Sequence, residues 1–169
     1  MGTGKKAVVL LCISIRLRKG GWKVVYQEGD FYQRLRSKMK DWLSTREGSS
    51  HKWAEYLMFA PDLLHLMCKL TIDEDVPVKE RAKLAAAIAY FISPIDLVPE
   101  ALVGVIGYTD DIVLAAYVLN SIINNTKLEI VERHWAGDED VLHVIQKILK
   151  VADEMIGSGL FKRLKKTVD

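Results

Sequence analysis

The sequence predicts a mainly α protein, a compact helical bundle preceded by an N-terminal β-hairpin. Three observations carry that prediction. Apolar residues recur four apart in Phe31, Leu35, Met39 and Leu43, and later segments keep a helical spacing. Ahead of them, Ile13, Ser14, Ile15, Arg16, Leu17 and Arg18 alternate apolar and polar, the period of a half-buried strand. Only 4 Pro and 11 Gly occur among 169 residues, of which half are hydrophobic and 27% charged. That is the composition of one folded core, and it excludes a disordered or collagen-like chain.

The first element is the hairpin, read over residues 7–27 with Gly20-Gly21 as its turn and the β-formers of Trp22 to Tyr26 as its second strand. An isolated two-stranded hairpin is marginal in water, so it must pack on the helices or pair with a second copy. Residues 1–29 are accordingly assigned to this appendage and 30–169 to a single helical domain. The opening Met1-Gly2-Thr3-Gly4-Lys5-Lys6 matches neither a myristoylation site, which needs Ser or Thr at position 6, nor a phosphate-binding loop, which needs a longer glycine bracket. The apolar run Ala7 to Ile15 is followed by Arg16, Arg18 and Lys19 where a signal peptide would have its small-residue cleavage site. Secretion is therefore not expected. The two cysteines, Cys12 and Cys68, give neither a disulfide framework nor a cysteine-rich zinc site, and a cytoplasmic setting is expected.

From Asp30 the first helix sets its apolar face against a basic remainder, Arg34, Arg36, Lys38 and Lys40, until Gly48-Ser49-Ser50 breaks the pattern. Trp53, Leu57 and Ala60 begin a second helix that Pro61 either kinks or restarts through Leu70. After Pro77 a helix runs from about Val78 to Ile92, and its Ala82, Ala85, Ala86, Ala87 and Ala89 leave room for close packing. Ile112 to Ile123 reads as a buried helix. Thr126 with Glu129 has the form of a capping box for a short helix ending near Trp135, with Gly137 as its stop. Asp138 is expected to open the last long helix, whose Val141, Ile145, Ile148, Leu149 and Ala152 share a face, and Gly157 to end it.

The net charge of +2 hides an asymmetry. Residues 1–50 hold eleven Lys/Arg against four acids, which leaves 13 basic and 18 acidic groups in the rest. A basic first third suits an anionic surface or a complementary neighbour, although a solvated charged face has the same pattern. The segment 30–46 and the tail Lys162, Arg163, Lys165 and Lys166 are the basic candidates. Nucleic acid is not expected, because no helix-turn-helix, zinc or aromatic platform accompanies them.

The densest region is 90–111. Tyr90, Ser93, Pro94, Asp96, Pro99, Glu100, Gly107, Tyr108, Asp110 and Asp111 stand in an otherwise apolar stretch. Buried carboxylates are costly without partners, so each of these acids needs one. The pattern Tyr-x-x-Ser-Pro-Ile-Asp-Leu-x-Pro-Glu, a Gly-rich connector and Gly-Tyr-x-Asp-Asp resembles the YkvA-like family, a bacterial and archaeal domain of unknown function, over roughly residues 75–124. Glu100 stands where that family often has Asp. The resemblance implies a helical hairpin bent at the Ser-Pro-Ile-Asp turn. It brings no established activity, and its only hint of location is that some relatives lie in or beside membranes.

Two readings of the acids compete. In the first, Ser93, Pro94 and Asp96 cap one helix while Asp110 and Asp111 occupy the first turn of the next, each cap contributing ~1 kcal/mol. In the second, Asp96, Glu100, Asp110 and Asp111 converge on Mg²⁺, Mn²⁺ or Ca²⁺, with His65 as an added ligand or base, and support hydrolysis. No His-x-x-x-His, Glu-x-x-His or nucleophile elbow accompanies them. The expectation is therefore a protein that acts by association, with itself as a homodimer, with a partner or at an anionic membrane, and the metal-dependent hydrolase is the alternative.

Overall fold

The computed structural model describes residues 13–18, 21–26, 30–92 and 109–157, with single positions at 162 and 166. The expectations for Ser93, Pro94, Asp96, Pro99, Glu100, Gly107 and Tyr108, and for the bend at the Ser-Pro-Ile-Asp turn, lie outside the described residues. So do the side chains of Arg34, Tyr90 and Asp110.

The body is helical, as its apolar spacing predicts. Two strands precede it, β1 (Ile13–Arg18) and β2 (Gly21–Tyr26), which run antiparallel with Ile13 across from Tyr26 and Arg18 across from Gly21. Helix α1 (Asp30–Ser44) buries Tyr32, Leu35 and Met39, which recur at i, i+3 and i+7. Gly48-Ser49-Ser50 does not simply break the chain but closes a short helix, α2 (Arg46–Ser50). Its N-cap Thr45 accepts the Gly48 N–H. A Cβ at Gly48 would stand 2.1 Å from the Trp42 carbonyl oxygen, so glycine is what lets α2 fold back on α1. After α3 (Ala54–Leu57), helix α4 (Ala60–Ile72) starts afresh with Pro61 in its first turn, where a missing N–H costs nothing.

Helix α5 (Val78–Ile92) follows a tight turn in which Asp73 accepts the Asp75 N–H and Val76 is buried. Helix α6 (Thr109–Ile123) lies at the centre. Its Ile112, Val113, Leu114, Ala115, Ala116, Val118, Leu119 and Ile122 are all buried, as expected of a helix apolar on every side. It packs most extensively on the last helix, α8 (Val141–Ile156), whose Val141, Val144, Ile145, Ile148 and Ala152 form the apposed stripe. Helix α4 packs on both α5 and α6, with Leu63, Leu66, Met67, Cys68 and Leu70 buried.

Two caps differ from expectation. Helix α7 (Leu128–His134) has Lys127 at its N-cap with no side-chain cap, and the Thr126 hydroxyl is buried without a hydrogen bond, so Thr126 and Glu129 form no capping box. The chain stays extended through Lys127 and sets the helix one residue later than the pattern suggests. Helix α8 opens on Asp140 rather than Asp138; Asp140 Oδ1 accepts the His143 N–H at 2.8 Å. Asp138 is engaged instead by Arg36. Gly157 ends α8 at φ +82°, as a C-terminal glycine should. Among the described residues no helix is long and apolar enough to cross a membrane.

Candidate functional site

Helix α5 carries the most unusual surface. Glu80, Leu84, Ala87 and Ile88 face inward and are buried. Of the five alanines read as packing positions only Ala87 is among them; Ala82, Ala85, Ala86 and Ala89 are exposed. Val78 is 72% exposed and continues the same row, so the outward face of α5 is apolar where a solvent face ordinarily bears charge. Glu80 is 4% exposed, and its carboxylate lies 3.6 Å from the Lys83 ammonium, which in turn donates to Ser121 Oγ on α6 at 3.2 Å. This inward ion pair links α5 to α6 and removes the only carboxylate of α5 from solvent.

A second polar cluster joins α1, α4 and the loop before α8. Tyr32 Oη donates to Asp62 Oδ1 at 2.6 Å, Arg36 Nη1 donates to Tyr32 Oη at 2.5 Å, and Arg36 Nη2 donates to Asp138 Oδ2 at 3.0 Å. Asp62 is 6% exposed. Burial pushes its carboxyl upward, against the Tyr32 hydrogen bond and the Arg36 charge 3.6 Å away. The Tyr32 hydroxyl, also buried and donating to a carboxylate, is pushed up to about 12. The His65 ring lies 4.7 Å from that of Tyr32, and burial holds its imidazole below the ordinary value. His65 is thus a half-buried helix-face residue beside Asp62.

This cluster corrects the reading of Arg36 as basic surface: its guanidinium turns inward onto Tyr32 and Asp62, and Lys38 and Lys40 remain exposed. The sequence signal was available, since Tyr32 falls three residues before Leu35 and seven before Met39. The apolar reading took Phe31 instead.

A third cluster clamps α7 to the 73–77 turn. Asp73 Oδ2 lies 2.5 Å from His134 Nε2 and 2.7 Å from Arg133 Nη2, which also reaches Asp75 at 2.8 Å. Burial opposes the charge on Asp73, but His134, the Asp75 N–H and Arg133 together hold its carboxyl below the usual range. An open cleft of about 480 Å³ borders this clamp, lined by Asp75, Pro77, Thr126, Lys127, Glu129 and Arg133 among others.

Of the four acids read as metal ligands, Asp96 and Glu100 lie outside the described residues. Asp110 and Asp111 both stand in the first turn of α6, at the positive end of the helix dipole, and Asp111 is 6% exposed. Among the described residues no three His, Cys, Asp or Glu are grouped so as to hold a metal ion.

With that geometry in place, similarity to known proteins adds one strand. Residues 80–117, from Glu80 to the middle of α6, match the family described as a protein of unknown function (DUF1232), in agreement with the YkvA-like resemblance on that segment. An uncharacterized protein of Methanothermobacter thermautotrophicus, ORF9, is 27% identical over 116 residues, which cover 69% of this chain and 77% of that protein. No solved structure matches.

Proposed function

We propose that this protein acts by association, not by catalysis, and that the outer face of α5 is where it associates. The observation that carries this reading is the row Val78, Ala82, Ala85, Ala86 and Ala89, apolar and exposed on a helix whose opposite side is packed into the core. Alanine is tolerated on a solvent face as a good helix former. A contiguous row headed by a valine that is 72% exposed, without a single charge within it, suits a surface that another element covers. Small side chains there permit a second helix to approach closely. The segment that matches the family begins on this helix at Glu80, so Ala82, Ala85, Ala86 and Ala89, though not Val78, fall within it.

Attachment to an anionic membrane is a weaker form of the same reading. It rests on the exposed Lys38 and Lys40, while Arg36 is withdrawn into its pairs with Tyr32 and Asp62. Sedimentation velocity over a range of concentrations, with vesicle co-sedimentation at low salt, tests both forms on the wild type and on Ala85→Glu. Association that is lost on introducing the charge is expected. A wild type that neither self-associates nor binds a partner or vesicle through α5 removes the proposal.

A further inference from the structure

We infer that α1 is an acid-sensitive strap: Tyr32 and Arg36 fasten it across α4 over His65, and protonation of that imidazole lifts α1 while α4, α6 and α8 stay packed. The fastening is concentrated at one spot. Of the described side chains of α1 only Tyr32, Leu35 and Met39 are buried, whereas α6 is buried nearly all round. Helix α1 packs chiefly on α2 and α4. Its polar ties to α4 and to the connector before α8 run from Tyr32 and Arg36, to Asp62, Asp138 and the Ala136 carbonyl. An element held by few buried side chains opens ahead of the whole fold.

His65 lies beneath this fastening. Its ring stands 4.7 Å from the Tyr32 ring, and the Arg36 guanidinium lies 5.8 Å from the centre of that same Tyr32 ring. On α4 itself Asp62 and Lys69 stand one turn to either side of His65. From α7 come His134 and Arg133, both held on Asp73. Strand β2, which also packs on α4, carries Lys23 and Tyr26, and on α5 Glu80 and Lys83 engage each other. Asp62 draws a proton towards His65, but that carboxylate already accepts the Tyr32 hydroxyl and faces Arg36 at 3.6 Å. A charged imidazole would therefore add a buried cation beside Arg36 and His134, and burial with the His134 charge outweighs the pull of Asp62. Lifting α1 returns water to the ring and removes that cost. Opening thus takes up a proton, and acid favours it below about pH 6.5. Asp62 works in the other sense: burial raises its carboxyl, so it holds a proton better under the closed strap and restrains opening at still lower pH.

The test is hydrogen–deuterium exchange of the full chain, read peptide by peptide at about pH 7.5 and about pH 5.5 with the intrinsic exchange rates divided out. Protection over α1 should fall severalfold at the lower pH, while α6 and α8 keep theirs. In His65→Gln, whose side chain takes no proton, protection over α1 should be the same at both pH values, which also separates His65 from His134. Tyr32→Phe unties Asp62 and should loosen α1 already at the higher pH. Unchanged protection of α1 in the acidified wild type, a loss shared equally by α6 and α8, or an undiminished acid response in His65→Gln overturns the inference. Should His65→Gln not fold, the regional comparison in the wild type, with Tyr32→Phe beside it, decides the matter on its own.

Discussion

Asp62 shows what a single buried charge demands. Its carboxylate is out of water and is kept there by one hydroxyl donor and one guanidinium, so deleting the hydroxyl leaves part of the desolvation uncompensated. Tyr32→Phe keeps the ring and should lower unfolding stability by about 1–3 kcal/mol in urea titrations. A loss near zero would mean that Asp62 is satisfied without it. His65 makes the same region sensitive to acid. Burial, with His134 adding to it and Asp62 opposing, holds the folded imidazole below 6.5, so the unfolded chain protonates first. Stability is then full above about pH 6.5 and declines as the pH falls below it. Asp62 acts in the opposite sense. Its raised carboxyl contributes stability below the ordinary carboxylate range that is lost as pH rises through its folded value. Urea midpoints measured from about pH 7 down to about pH 5 should therefore fall more in the wild type than in His65→Gln. Equal slopes would assign the acid sensitivity to other groups.

Among the elements, helices were legible wherever one face is apolar at regular spacing. Val78–Ile92 agrees with its reading at both ends, and α8 shows its stripe in the sequence as Val141, Ile145, Ile148 and Ala152. Helix starts were less legible, for a physical reason: Asp138, Asp140 and Thr126 all have side chains able to cap. The choice among them is made by tertiary partners, such as Arg36 drawing Asp138 away. The side chain that does cap is Asp140, so Asp140→Ala should cost about 0.5–2 kcal/mol in a thermal melt, and Asp138→Ala should leave the start of α8 intact. Gly157 marks the other end of α8. Nothing lies within 4 Å of a Cβ placed there, so the cost of Gly157→Ala, about 1 kcal/mol, comes from backbone conformation alone. The outward face of α5 was half legible. Five alanines in one helix signal close packing, but only the burial pattern tells Ala87, against the core, from Ala82, Ala85, Ala86 and Ala89, which look outward.

For the molecule as a whole, the acidic motif of 90–111 ends in the first turn of the central helix α6. Its strongest signal was chemical and local, and Asp110 and Asp111 fall in one helical turn where a dipole alone gives carboxylates a role. Thermal melts of chelator-treated protein with Mg²⁺, Mn²⁺ and Ca²⁺, for the wild type and Asp110→Asn, separate the two uses. Acids that act as caps give no shift with any ion and a lower melting temperature in the variant. A metal site gives a wild-type shift of several degrees at saturating ion, about 2.7 kcal/mol at a hundredfold excess over Kd, which the variant loses.

The thiol of Cys68 offers a different kind of access to the same molecule. It lies on α4 inside the core, 3% exposed, and burial pushes it up to about 12, so in the folded state it is both shielded and protonated. A thiol-directed reagent can reach it only when α4 opens, and Cys68 thereby becomes a clock. Mass spectrometry of the peptide that bears it, sampled over time in native buffer, would turn the rate of alkylation into an opening frequency for the core.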